Sequence, residues 1–249
     1  MNIFLLASFV VMISGFGAYF MQEFNLSALW GSCFIAILAF FTFFQNMNGI
    51  VKVNTYLIPI LIFIVLLLGI KGNMEQFNPQ YITSSNNWFW LVKSILYASY
   101  NSIILIPMIV NLKELISNKK QIKYITLITF IIMIILSIII YIVLSLHFNE
   151  ISNLDIPIIF IASKFGVAFK YLYGLIILIA IFTTAISEGY SFLKNVSKTK
   201  KQYKIYSFAI CLLAIAFSNV GFGKLLDILY PILGFLGLLQ IATILIPKR

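Results

Sequence analysis

Residues 124–146 read YITLITFIIMIILSIIIYIVLSL, 23 consecutive positions without one charged side chain. Crossing the ~30 Å hydrocarbon core of a bilayer takes about 20 helical residues, so this run is long enough and apolar enough to span. The rest of the chain does not supply the polar surface that would be needed to bury it in water. Of 249 residues, 62% are hydrophobic and 10% charged, where soluble domains carry roughly 25% charged residues. Similar runs occur at 2–20, 28–45, 54–70, 88–111, 169–193, 203–219 and 225–246. With the first run at 123–146 they predict an all-α, polytopic membrane protein of about eight transmembrane helices. Residues 1–249 then form a single transmembrane domain whose outer solvent is lipid.

The net charge of +10 does not point to nucleic acid. Arg249 is the one arginine among seventeen basic residues, and phosphate or base contacts favour arginine. The charges sit in short loops between the runs. Lys52, Lys113, Lys119, Lys120, Lys123, Lys194, Lys198, Lys200, Lys201, Lys204, Lys248 and Arg249 fall on one side, and Lys71, Lys93, Lys164, Lys170 and Lys224 on the other. The richer side is expected in the cytoplasm, which makes this a multi-pass protein of a bacterial inner membrane with both termini cytoplasmic. Glu23, Glu75, Glu150 and Asp155 then fall outside. Cys33 and Cys211 lie within apolar spans and read as small core residues. The first residues lack a basic n-region, and no small-residue cleavage site follows, so no signal peptide is expected. In the outer loop 147–168, Asp155-Ile156-Pro157 reads as a helix start with Asp as cap and Pro early. That predicts either a short helix over the outer face or a plain loop.

Aligning the chain with itself reveals a repeat. At an offset of 172, Pro59-Ile60-Leu61-Ile62-Phe63-Ile64-Val65-Leu66-Leu67 lies over Pro231-Ile232-Leu233-Gly234-Phe235-Leu236-Gly237-Leu238-Leu239, with six of nine positions identical. At 173, Ile13-Ser14-Gly15-Phe16 falls on Ile186-Ser187-Glu188-Gly189, a weaker match with two of four positions identical. Each pair of spans crosses in opposite directions, as in the inverted-topology repeats of many secondary transporters. Residues 1–70 would hold the last three helices of the first repeat and 88–246 the five of the second. The partners of the fourth and fifth spans would precede Met1. An upstream two-helix segment is therefore an expected partner.

Three stretches carry candidate chemistry. Tyr97-Ala98-Ser99-Tyr100-Asn101-Ser102, followed by Pro107, puts polar side chains and a helix breaker inside a span. One reading is a discontinuous helix whose Tyr97, Ala98, Ser99, Tyr100 and Asn101 bind a small polar solute. The other is a proline-kinked helix bonded to its neighbours. Ala180, Thr183, Thr184 and Ser187 share one helical face, either as oxygen ligands for a hard cation or as small residues for close packing. Glu188 is an acid inside an apolar run. It serves ion coupling, or reaches the interface, or pairs with Lys198. Gly15 and Gly17 suit close packing, and Tyr19 suits a cavity or an interface belt. His147 is the one histidine, and no metal cluster, catalytic triad or phosphate loop is present in the sequence. No enzyme is expected.

The order of spans, the YASYN stretch with its downstream proline and the AIFTTAIS segment together resemble the amino acid–polyamine–organocation superfamily, with its LeuT-type inverted repeat. Within it, the chain resembles the YkvI-like bacterial membrane proteins. The resemblance covers the whole chain, as helices three to ten of a ten-helix core. It implies that Ala180, Thr183 and Thr184 ligate sodium and that Tyr97 through Asn101 is the unwound, solute-binding segment. It favours sodium over protons, because the span 54–70 lacks the lysine that proton-coupled relatives carry there. The expected function is sodium-coupled transport of a small polar solute such as an amino acid. The alternative is a ligand-sensing or structural subunit that does not transport, as in spore germination receptors. The family's first helix supplies half of both sites, and the chain shows no counterpart of it.

Overall fold

The computed structural model describes residues 2–45, 48–71, 88–112 and 118–246. Side chains are not described at 48–51, 71, 103–112, 119 and 244–245. Pro107, Lys71, Glu75, Lys113, Lys119, Lys248 and Arg249 therefore lie outside the described side chains. Among the described residues, ten helices follow in order: α1 (Asn2–Phe24), α2 (Ala28–Thr42), α3 (Asn48–Lys71), α4 (Phe89–Leu112), α5 (Lys119–Leu146), α6 (Phe148–Ile151), α7 (Pro157–Ser163), α8 (Val167–Val196), α9 (Lys200–Ser218) and α10 (Phe222–Leu245). The described residues contain no strand.

Among the described residues, five helices are long and apolar enough to cross a membrane: Asn2–Phe24, Lys52–Ile70, Lys120–Leu146, Val167–Val196 and Phe222–Thr243. That is fewer than the eight spans expected. At 15 residues, α2 rises about 22 Å, short of the ~30 Å core. The start of α9 carries Lys200, Lys201 and Lys204. For α4, side chains from 103 on are not described. The remaining pattern suits lipid. Only 6% of an 18-residue stretch of the Lys120–Leu146 helix is buried, and its apolar side chains from Ile122 to Ile131 are all exposed, which water would penalise heavily. By contrast, 67% of an 18-residue stretch of α1 is buried.

The chain forms two compact units, Met1–Asn78 with Ile139–Leu225, and Pro79–Ile138 with Leu226–Arg249. In the first unit, α1 is central and packs on α2, α8 and α9. It runs antiparallel to α8, because contacts along α1 meet falling residue numbers on α8. Asn195 donates to Asn2 at 3.1 Å and Ser8 to Glu188 at 2.7 Å. Further along, Tyr19 covers Gly174, and Glu23 pairs with Lys170 at 2.6 Å. Small residues let these backbones approach, since dispersion rather than hydrophobicity joins helices in lipid. A side chain at Gly17 would run into Ser32 and the Ala28 carbonyl, and Ser32 itself donates to the Ile13 carbonyl at 3.2 Å. Gly15 lies against the Phe222 ring. Tyr19 is buried in the α1–α8 seam rather than in a cavity or at an interface.

The outer loop forms two short helices, α6 and α7. Asp155 does not cap α7. Ile156 takes that position without a side-chain cap bond, and Pro157 opens the helix, where its missing N–H costs nothing. The residue before a proline is pushed to extended backbone, and Ile156 sits at φ −129°, ψ 74°. Its N–H and C=O are both taken by the Gln22 amide of α1, at 3.0 and 3.1 Å. With Ile159, Ile161 and Ala162 buried, α7 is a packed element and not a plain loop.

The second unit contains α4, the first part of α5 and most of α10. Pro231 lies inside α10, a helix of 24 residues, as Pro59 does inside the 24-residue α3. Gly234 faces the Leu96 backbone and Gly237 the Ser99 carbonyl, so close that a side chain at either position would collide with α4.

Candidate functional site

The Tyr97–Asn101 stretch is not interrupted: α4 runs unbroken from Phe89 to Leu112. Its polar side chains bond to carbonyls one turn back. Ser99 donates to Ile95 at 2.7 Å, Asn101 to Tyr97 at 2.8 Å and Ser102 to Ala98 at 2.9 Å. Such back-bonding is the alternative that Ser and Asn offer inside a helix, and it removes the need for unwound backbone. Ser99 and Tyr100 are buried, whereas Tyr97 is 55% exposed and Asn101 is exposed.

The tyrosines belong to a wider cluster. Tyr230 of α10 stands 4.8 Å from Tyr100 and 5.7 Å from Tyr97, ring centre to ring centre. Beside it opens a cavity of ≈780 Å³ lined by Lys93, Ser94, Leu96, Tyr97, Leu226, Asp227, Tyr230 and Pro231. That volume is within the range of small-molecule sites, about 300–1,000 Å³. Lys93 and Asp227 are opposite charges on its wall. The two ion pairs among the described residues are Glu150–Lys164 and Glu23–Lys170, so Lys93 and Asp227 do not close on each other. Sequence reading missed Asp227, although an ionisable residue in each of two apolar spans was a usable signal.

The candidate cation ligands lie in the first unit. The Ala180 carbonyl accepts from Thr183 Oγ1 at 3.1 Å and from Thr184 Oγ1 at 2.8 Å. Three oxygens therefore converge on one face of α8, with Thr183 buried. This fits a partial shell for a hard cation, since each hydroxyl keeps lone pairs free of the Ala180 bond. The same back-bonding recurs at Ser187 to Thr183 and Ser191 to Ser187, at 2.8 and 2.7 Å, so it also serves the helix as it stands. The solute and cation candidates fall in different units.

Glu188 is 6% exposed. Its Oε1 accepts from Ser8, and its Oε2 has no hydrogen-bond partner among the described residues. Buried against Ser8 of α1, it forms no ion pair with Lys198. At the other end of the unit, Lys164 hydrogen-bonds Glu150 at 2.5 Å and thereby holds the Glu150 carboxyl below its ordinary range. Cys33 and Cys211 are free, and His147 bonds the Val143 carbonyl at 3.0 Å.

The chain is similar to a bacterial membrane protein. The uncharacterized membrane protein YkvI of Bacillus subtilis (strain 168) is 28% identical over 247 residues, 96% of this chain and 69% of that protein. The uncharacterized protein YyaD of the same organism is 24% identical over 253 residues, 98% of this chain and 72% of that protein. No family model and no solved structure matches. With its apolar helices and a membrane-protein relative along nearly its whole length, the chain is a helical, multi-pass membrane protein.

Proposed function

We propose that this protein is a secondary transporter for a small polar solute such as an amino acid, with sodium as the coupling ion and no catalytic activity. The observation that carries the reading is the Lys93–Asp227 cavity. Two opposite charges held apart on a tyrosine-lined wall match a solute bearing both signs of charge. The 97–101 stretch contributes Tyr97 to that wall and the buried Tyr100 behind Tyr230. The convergence of Ala180, Thr183 and Thr184 oxygens supports sodium. The matched 24-residue, proline-containing α3 and α10 favour an inverted repeat of LeuT type.

Charge at the two ends of the first unit supports the orientation. At one end Lys164 and Lys170 are each paired with a glutamate. At the other, Lys194, Lys198, Lys200, Lys201 and Lys204 have no acid near them in sequence, the pattern of a cytoplasmic face. The test is uptake of a labelled amino-acid mixture into membrane vesicles carrying the protein, with and without a sodium gradient. Lys93→Met and Asp227→Asn are expected to cut uptake about tenfold, the loss of roughly 1.4 kcal/mol of binding, and Thr184→Val to flatten the sodium response. Binding without uptake would replace transport by ligand sensing, and wild-type behaviour of all three variants would remove the reading.

A further inference from the structure

The turn between α8 and α9 is tight and well tied. Thr199 accepts from the Gln202 amide at 3.2 Å, while the Gln202 side chain accepts from the Lys198 amide at 2.9 Å, a near-reciprocal cap. This fixes a dense positive patch. Lys194, Lys198, Lys200, Lys201 and Lys204 are all exposed, and no acid occurs between Glu188 and Asp227. Alongside the patch, the two helices part into an apolar groove of ≈260 Å³ lined by Phe192, Val196, Tyr206, Ala209 and Ile210. Ala209 leaves the gap between the larger rings.

One class of ligand uses both features. A soluble anion would engage the lysines and leave the groove empty. A neutral lipid would fill the groove and gain nothing from the charge. We propose that the α8–α9 hairpin binds an anionic phospholipid, its acyl chain in the groove and its phosphate on the lysines. Charge complementarity selects this occupant, because lysines beside the end of an apolar helix attract anionic headgroups within a Debye length. Neither the Lys93–Asp227 cavity nor the threonine oxygens enter into this site, so it stands or falls separately from transport.

The test is native mass spectrometry of purified protein mixed with phosphatidylglycerol or phosphatidylcholine. Retention of phosphatidylglycerol is expected to exceed that of phosphatidylcholine at least about tenfold, each lysine being worth roughly fivefold beside an anionic surface. Two variants separate the parts. Joint replacement Lys198→Gln, Lys200→Gln, Lys201→Gln and Lys204→Gln should abolish the preference. Ala209→Trp, or Ala209→Leu if the larger residue prevents folding, should weaken phosphatidylglycerol retention with every lysine in place. Inorganic phosphate should not displace the lipid. Equal retention of the two lipids, full retention by the four-glutamine variant, undiminished retention by the Ala209 variant, or displacement by phosphate would each overturn the proposal.

Discussion

Replacing Gln22 by Met keeps the length of the side chain and deletes both of its hydrogen bonds to Ile156. Each such bond contributes about 1 kcal/mol net, so the two together hold the start of α7 by about 2 kcal/mol. Ile156 is buried at the backbone turn before Pro157. Stranding its N–H would add to that figure wherever water does not reach it, while its C=O keeps the Ile159 amide at 3.3 Å. A local opening free energy lowered by about 2 kcal/mol accelerates amide exchange roughly 30-fold. Hydrogen–deuterium exchange of peptides covering 153–163 in detergent would report it, with α9 peptides as the internal standard. Gln22→Glu keeps the acceptor for the Ile156 amide and loses the donor to its carbonyl, so its effect should fall between. Unchanged protection of 153–163 in Gln22→Met, with the protein otherwise folded, would refute the idea that this amide pins α7.

Gly17→Val should destabilise the α1–α2 seam by about 1–3 kcal/mol through overpacking against Ser32 and Ala28, read as a lower midpoint in a thermal unfolding series. Wild-type stability would mean that the seam repacks freely. Single cysteines at exposed Ser152, Asn118 and Thr199, in a background without Cys33 and Cys211, test the orientation. An impermeant maleimide is expected to label the first from outside and to spare the other two, and the opposite pattern reverses the topology.

The membrane class was legible because a run such as 124–146 has few readings that physics allows. The number of spans was not. Apolar length alone did not reveal that α2 stops at 15 residues, and the lysines at the start of α9, plain in the sequence, were read as flanking a span at 203–219. The 97–101 stretch was legible as unusual, but neither of its two readings, an unwound segment or a kinked helix bonded to its neighbours, anticipated that Ser99, Asn101 and Ser102 satisfy themselves on carbonyls four residues back. The Ser8–Glu188 bond spans 180 positions and the Gln22–Ile156 pair 134. Neither leaves a local pattern, since each joins residues on elements far apart in the chain. Asp155 had the residue type of a cap, but Pro157 set the helix start and left the cap position to Ile156.

Gly234 and Gly237 act on α4 like a pair of notches cut one turn apart. The Leu96 and Ser99 backbone drops into them, and the neighbouring α10 positions carry Leu233, Phe235, Leu236 and Leu238. Phe235 and Leu236 are exposed and turn away from α4, whereas Leu233 is buried and Leu238 half-buried beside the notches, so a slide of one helix along the other would bring Leu233 or Leu238 against an α4 carbonyl. Axial creep between α4 and α10 is therefore blocked, while a pivot about the notched point costs little. Any movement that opens or shuts the tyrosine-lined cavity would then be a tilt with its fulcrum beside Ser99, and Tyr97 and Lys93, further toward the helix start, would swing on the longer arm.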